Sequence, residues 1–573
     1  MFSINPSALR VTLLSALSII TTLWSASVLA SIPKFEMSFP AILHQRPITG
    51  RIVLMISRKD DPEVRLQSGA EMFGLDVSGM NPGETITLDA HIPGYPLHSF
   101  REIPAGDYYV QAVLNVYTEF HRADGHVIWA HMDQWEGQRF NLSPGNLYSK
   151  MQRVHFDSSG SPRVQLSLTE VIPPIQVPAD TEWVKHIKIQ SSLLTKFWGH
   201  PIYLGAVVLL PKDYSSHPEM KYPVIYEQGH FSESAAFGFR TDDAPEDKDY
   251  LERLKNRGVE TGYEFYKTWN SDGFPRMVAV TFLHPTPYYD DSYAVNSANN
   301  GPYGDAIMTE LIPYIESHFR IIRQPYARVL TGGSTGGWEA LALQLFHPNF
   351  FGGAWVLYPD PIDFRRYGLV NIYMDDNSFV VNPNDSSRVP QWVRNAWIPA
   401  ERPFLQLEDG QPVMTVRQGS QIEAVLGSKG RSTGVFDNWN ATYGPVANDG
   451  YPKPLWNKLS GRIDHSVANY MRDHGYDLRY YAEKNWATLG PRVVGKIHIY
   501  CGDMDNYYLN LGVYLFQKFL EDSKNPHYEG SFEYGRPMKG HGWQPVNNAD
   551  LVKAMAQNVA KSAPIDEKLA WAR

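Results

Sequence analysis

Cysteine is almost absent from this chain. Cys501 stands alone among 573 residues, so no disulfide can form within it. No Cys/His cluster and no H-E-x-x-H run occurs, which leaves a zinc mechanism without ligands readable from spacing. A G-x-G-x-x-G fingerprint and a phosphate loop are also missing, so nothing signals a dinucleotide or nucleotide triphosphate. No cofactor and no metal is therefore expected. Charge is not concentrated in one sign: 52 Lys and Arg face 61 Asp and Glu, and the net charge is −9. Without a basic stripe, nucleic acid is not an expected partner. Repeats and low-complexity tracts are absent. Beyond the N-terminus no run of eighteen apolar residues exists, so stable membrane insertion is not expected.

What is present begins with an export signal. Arg10 precedes an apolar run from Val11 to Leu23, and Val28 and Ala30 occupy the small-residue positions of a cleavage site before Ser31. Residues 1–30 read as a signal peptide cut after Ala30, giving a periplasmic or secreted protein. An exported chain without disulfides fits a bacterial setting better than a eukaryotic one. The length exceeds what one core accommodates, so more than one domain is expected.

Residues 31–172 read as a smaller all-β, sandwich-like domain. Arg51 to Ser57 and Thr85 to Leu88 are short strands, and Val164, Leu166 and Leu168 alternate. Tyr108, Val110, Ala112, Leu114 and Val116 keep a period of two over five positions. The Pro-rich stretch 173–180 is a stiff linker. After it, strands alternate with helices, which implies a mostly parallel α/β sheet covered on both faces. Lys188 to Ser192 and Ile202 to Leu210 read as antiparallel edge strands. Pro223 to Tyr226, Met277 to Phe282, Arg328 to Leu330, Ala354 to Leu357 and Lys496 to Tyr500 read as core strands. Tyr303 to Ser317 reads as a helix that Pro313 should kink. Two segments exceed a minimal core: a charged, helical stretch from Ser232 to Trp269, and an insertion at about 365–490. The insertion contains Trp392, Trp397, Phe436, Trp439, Trp456 and Trp486, and reads equally as a lid or as an embellishment with its own core.

The chemistry concentrates at Arg328-Val-Leu-Thr-Gly-Gly-Ser-Thr-Gly-Gly-Trp338. Gly332-x-Ser334-x-Gly336 lies between an apolar strand and a helix, the setting of a nucleophile elbow. A serine hydroxyl needs a base, and the base needs an orienting acid. Past the last core strand, Asp503 and Asp505 compete as the acid. Asp503 could also open a calcium loop, but the Gly and Glu such a loop requires are missing. His541, between Gly540 and Gly542, is the favoured base, with His527 as rival.

These pieces together resemble the esterase D-type family of the α/β-hydrolase fold, which includes feruloyl and acetylxylan esterases, S-formylglutathione hydrolases, enterochelin esterases and mycolyltransferases. The matching pieces are Tyr222-Pro-Val-Ile-Tyr226, Asp305 to Glu316, Thr331 to Trp338, Gly502-x-x-Asp505 and Gly540-His541. The resemblance implies an α/β-hydrolase core over residues 181–560, with Ser334 as nucleophile, Asp505 as acid in preference to Asp503, and His541 as base. It implies an oxyanion hole from the Thr335 N–H and a second donor at His230 or Phe231. Here the sequence departs from the family, because Gly229-His230 stands where His-Gly is usual.

The expected activity is that of an exported serine carboxylic ester hydrolase working through an acyl-enzyme. The expected substrate is a small-molecule or carbohydrate-linked ester. Acyl transfer or peptide cleavage on the same triad, or a silent binding protein on the same scaffold, are the alternatives.

Overall fold

The computed structural model describes residues 32–60, 63–133, 135, 139–157, 163–229, 234–381, 400–565 and 569–572. The signal-peptide reading of 1–30, His230, Phe231, Trp392 and Trp397 lie outside the described residues. Two large sheets and the helices around one of them make a mixed α/β fold.

The first sheet has nine strands from residues 34–171. Its path runs Ile86–Leu88, Lys34–Ser38, Arg163–Val171, Leu147–Ser149, Gly106–Val116, Ile48–Ser57, Glu71–Met80 and Gly94–Tyr95, with Gln152–Phe156 also paired to Gly106–Val116. The alternation in Arg163–Val171 puts Val164, Leu166 and Leu168 inward. In Gly106–Val116 the expected face, Tyr108, Val110, Ala112 and Leu114, is buried, but so are Gln111, Val113 and Asn115 on the other face. The polar members are satisfied there: Gln111 donates to the Ser149 carbonyl at 2.9 Å, and Asn146 donates to Asn115 at 3.0 Å. A strand covered on both faces tolerates polar residues when each finds a partner.

Residues 173–180 form a mostly exposed connection to the second sheet. That sheet runs Val184–Gln190, Tyr203–Leu209, Val278–Leu283, Val224–Gln228, Arg328–Gly333, Gly353–Leu357, Ile497–Gly502 and Ser531–Gly535. The first two pairings are antiparallel and the remaining five parallel. The central strands are short apolar runs buried on both faces, as a helix-covered parallel sheet requires. Ser531–Gly535 was not visible as a strand because its residues are mostly half-exposed at the sheet edge.

Within the helical stretch Tyr303–His318 the α-helical bonding is interrupted just ahead of Pro313. A single wide π turn at Ile307–Leu311 precedes the proline and relieves the clash of its ring with the preceding turn. The helix Thr335–Phe346 is buried along nearly its whole length. Leu478–Val493 packs on it, with Phe346 edge-on to Tyr481 at 4.8 Å. Between residues 400 and 475 lie a hairpin, Pro403–Gln406 with Pro412–Thr415, and the helices Val416–Leu426, Val435–Tyr443 and His465–Asp473.

The first sheet grips this inserted segment through buried arginines. Arg51 is 3% exposed and donates to the Val425 carbonyl at 2.9 Å, to the Ala424 carbonyl at 2.8 Å and to Asp76 at 2.8 Å. Arg431 returns the contact to Asp76 at 3.0 Å, and Arg122 donates to the Gly450 carbonyl at 2.8 Å. Arg51→Ala strands the Ala424 and Val425 carbonyls and leaves Asp76 to Arg431 and Ser428. It should cost more than about 2 kcal/mol in a urea melt, with earlier proteolysis in 400–475, because orphaned buried acceptors cost about 1–3 kcal/mol each.

Candidate active site

Strand Arg328–Gly333 ends at the middle of the second sheet, and Ser334 follows with φ 58° and ψ −119°. A non-glycine residue in that region costs on the order of 1–3 kcal/mol and persists only when its surroundings hold it. The Ser334 N–H donates to Leu357 at 3.0 Å, and its carbonyl accepts from Gly337, Trp338 and Asp360 at 3.0, 3.1 and 3.0 Å. The flanking glycines are needed for close approach. A Cβ on Gly336 would stand 2.0 Å from the Gln228 carbonyl oxygen, and one on Gly332 would stand 2.7 Å from it. Thr335 opens the helix, so its N–H has no intrahelical acceptor and faces the space above the turn.

Strand Ile497–Gly502 delivers the acid loop. Asp505 is fully buried. One of its oxygens accepts the N–H groups of Tyr507 at 2.9 Å and Leu509 at 3.3 Å, and the other lies 2.8 Å from His541 Nδ1. The His541 backbone N–H donates to Asn506 at 2.8 Å, which fixes the loop. Tyr358 and Tyr507 enclose the imidazole edge-on, with centroids at 4.9 and 5.0 Å. Asp503 does a different job: it accepts the Lys539 N–H at 3.3 Å and tethers the histidine loop from beneath. His527 bonds the Ser523 carbonyl at 3.1 Å and has no carboxylate partner.

Ser334 itself is not bonded to His541. Its Oγ donates to Asp360 at 3.2 Å, and among the described residues no hydrogen bond joins the serine to the imidazole. Asp360 is a residue the sequence reading missed, although it sits just past the C-terminal end of Gly353–Leu357, the same position relative to a strand that singled out Asp503 and Asp505. Its second oxygen accepts from the Tyr293 hydroxyl at 2.5 Å, from Thr335 Oγ1 at 3.1 Å and from Trp439 Nε1 at 3.3 Å. Trp439 Nε1 also donates to the Tyr293 hydroxyl at 2.6 Å. Burial, reinforced by Asp360, holds the Tyr293 phenol far above its ordinary pKa, so it remains a donor. The inserted segment thus reaches the Asp360 partner of Ser334 through Trp439, and reaches Asp505 through Gln406, whose side chain donates to the Asp505 carbonyl at 3.0 Å.

Beside the turn lies a cavity of about 190 Å³, lined by Glu227, Arg257, Gly333, Tyr358 and Gly542 among others. Burial pushes the Glu227 carboxyl up to about 7, against the pull of the Phe237 N–H it accepts at 2.9 Å. The folded chain therefore holds a proton that the unfolded chain has released. Stability should fall as pH rises from about 4.5 to about 7 and then level off. Glu227→Gln should flatten that slope when urea melts at about pH 5 and about pH 8 are compared. Asp360→Ala should leave the Tyr293 and Thr335 hydroxyls without their acceptor and cost at least about 2 kcal/mol in the same assay.

Residues 203–361 match the family described as "Putative esterase". The matched segment contains Ser334 and Asp360 and ends before Asp505 and His541. No curated protein matches the chain. Among solved structures, a ferulic acid esterase is 16% identical, with 66% of this chain and 96% of that one covered, at a TM-score of 0.30. An S-formylglutathione hydrolase from Agrobacterium tumefaciens is 11% identical over 68% of this chain and 99% of that one, at 0.31. Another, from Staphylococcus aureus, is 14% identical over 66% and 99%, at 0.29. Over residues 203–361 this chain matches the esterase family, which points to a carboxylic ester hydrolase.

Proposed function

We propose that the protein is an exported serine esterase in which Ser334 is the nucleophile, His541 the general base and Asp505 the acid that orients it. In this reading residues 181–560 are an α/β-hydrolase core, residues 31–172 a sandwich-like domain ahead of it, and the inserted segment a cover over the site. The observation that carries the assignment is the 2.8 Å pairing of a fully buried Asp505 with His541, on loops at the same sheet edge as the strained Ser334 turn.

Catalysis begins with release of Ser334 Oγ from Asp360. The hydroxyl proton passes to His541 Nε2 as Oγ bonds the ester carbonyl carbon, and the carbonyl π pair moves onto its oxygen. The Thr335 N–H is placed to stabilise that oxyanion, with a second donor assigned to the backbone at His230 or Phe231. Asp505 holds the proton on Nδ1, so Nε2 is the basic nitrogen, and balances the imidazolium once formed. Collapse returns the proton to the departing alcohol. Water, deprotonated by the same imidazole, then cleaves the acyl-enzyme. Once Ser334 has turned away, the Asp360 oxygen it occupied is free to accept a hydroxyl of the substrate, which favours hydroxyl-bearing esters, whether sugar-linked or phenolic.

A fluorophosphonate probe should label the wild-type mature protein and neither Ser334→Ala nor His541→Ala. Ser334→Ala should lower kcat by at least about 1000-fold with an unchanged melting temperature. A folded wild-type chain that resists the probe would overturn the assignment in favour of a binding role. Turnover into a new ester on addition of an acceptor alcohol would redirect it to acyl transfer.

A further inference from the structure

Behind the Ser334 turn, three chemically matched side chains from distant parts of the sequence meet in the fully buried interior. His284 follows strand Val278–Leu283, Asp291 lies on the loop beyond it, and Glu339 projects from the helix Thr335–Phe346. Their relative exposures are 1%, 0% and 0%. One ligand atom from each lies within 4.8 Å of the other two. His284 Nε2 is 3.9 Å from a Glu339 oxygen, and His284 Nδ1 is 3.9 Å from an Asp291 oxygen.

The polar atoms facing one another there lack partners. His284 Nε2, Asp291 Oδ2 and both Glu339 oxygens are buried without a hydrogen bond. The opposite sides of the same groups are fastened: His284 Nδ1 pairs with Ser292 Oγ at 2.8 Å, and Asp291 Oδ1 accepts the Tyr293 N–H at 2.5 Å. Two carboxylates buried side by side, with three of their oxygens and His284 Nε2 unpartnered, are costly unless something positive lies between them.

We propose that His284, Asp291 and Glu339 bind a divalent transition-metal ion, zinc or manganese. One neutral imidazole and two carboxylates neutralise a dication, so the filled site carries no net charge. Binding through Nε2 requires Nδ1 to carry the ring proton and donate to Ser292 Oγ, in place of the bond it now accepts from the Ser292 N–H at 3.1 Å. The present ligand separations close onto ordinary coordination distances of about 2.0–2.2 Å by small side-chain movements. The imidazole favours a transition metal over calcium, whose sites are built from oxygen.

The site is structural. It contains none of Ser334, Asp505 or His541, and it does not depend on their assignment. Its effect is to tie the loop of Asp291 to the helix of Glu339, one turn beyond Thr335 and Gly336. The same loop carries Tyr293, whose hydroxyl holds Asp360 behind the nucleophile.

The test uses the full chain, purified without an immobilised-metal step, treated with a chelator and titrated with Zn²⁺ alone and Mn²⁺ alone. Elemental analysis after desalting should find one ion per chain, and the melting temperature should rise by several degrees on its addition. Ser334→Ala should behave as the wild type. Glu339→Gln, which keeps shape and removes charge, should weaken retention at least about tenfold and abolish the thermal shift. A wild-type chain that retains neither ion and melts unchanged overturns the site, as does a folded Glu339→Gln that keeps the full complement. In the first case a proton shared between Asp291 and Glu339 is what the cluster holds. Should Glu339→Gln not fold, the wild-type titration alone decides.

Discussion

The approach of Gly336 to the Gln228 carbonyl is the constraint on which the site depends. It seats the helix Thr335–Phe346 directly on the strands it follows, with no room for even a methyl group between backbones. That contact forces Ser334 into positive φ, and the bonds to Leu357, Asp360, Gly337 and Trp338 hold it there. The strain is stored where the surroundings over-determine it. One consequence is geometric: the hydroxyl projects from the turn and the first helical N–H groups point at the space beside it. A second is topological. Neighbouring parallel strands end at the same edge, so Asp360 and Asp505 arrive there as well.

Two buried aspartates then divide the work. Asp505 is satisfied by two backbone N–H groups and by His541, so its charge is committed to the imidazole. Asp360 is satisfied by a tyrosine, a threonine and a tryptophan, which leaves one oxygen for Ser334. Ser334 is therefore held by one carboxylate, while His541, the base in the proposed reading, is aligned by the other. Catalytic hydrogen bonds commonly tighten only when substrate is present. Here the resting arrangement has a specific holder, and that holder is the side chain through which the inserted segment reaches the nucleophile.

The local parts of this site were legible in the sequence. Gly332-x-Ser334-x-Gly336 between an apolar run and a helix specifies a turn whatever surrounds it. Chain order and strand ends single out Asp503, Asp505 and the Gly-flanked His541; only the resemblance prefers Asp505, and it is Asp505 that the structure pairs with His541. The period-two face of Gly106–Val116 was legible too, because one half of it is apolar. What escaped was whatever depends on packing between distant segments. Asp360 has the same relation to its strand as Asp505, but nothing local marks it as the partner of Ser334. The edge strand Ser531–Gly535 has no apolar run to betray it. His284, Asp291 and Glu339 share no spacing, since a helix, a loop and a strand end bring them together. Trp439 stood out only as one aromatic among several in a long insertion.

That insertion also gives the first sheet, which contributes no side chain to the chemistry, a physical place in the site. Arg51 clamps the end of the helix Val416–Leu426. In the same helix, buried Glu423 accepts the N–H of Phe436 at 2.8 Å, and Lys458 spans Glu423 and Asp437 at 3.1 and 2.6 Å. These bonds fix the start of Val435–Tyr443, the helix whose Trp439 donates to Asp360. An unbroken run of buried polar contacts therefore leads from the N-terminal sheet to the carboxylate behind the nucleophile. A segment tethered this way at one end and plugged into the site at the other has little freedom to swing open as a free lid.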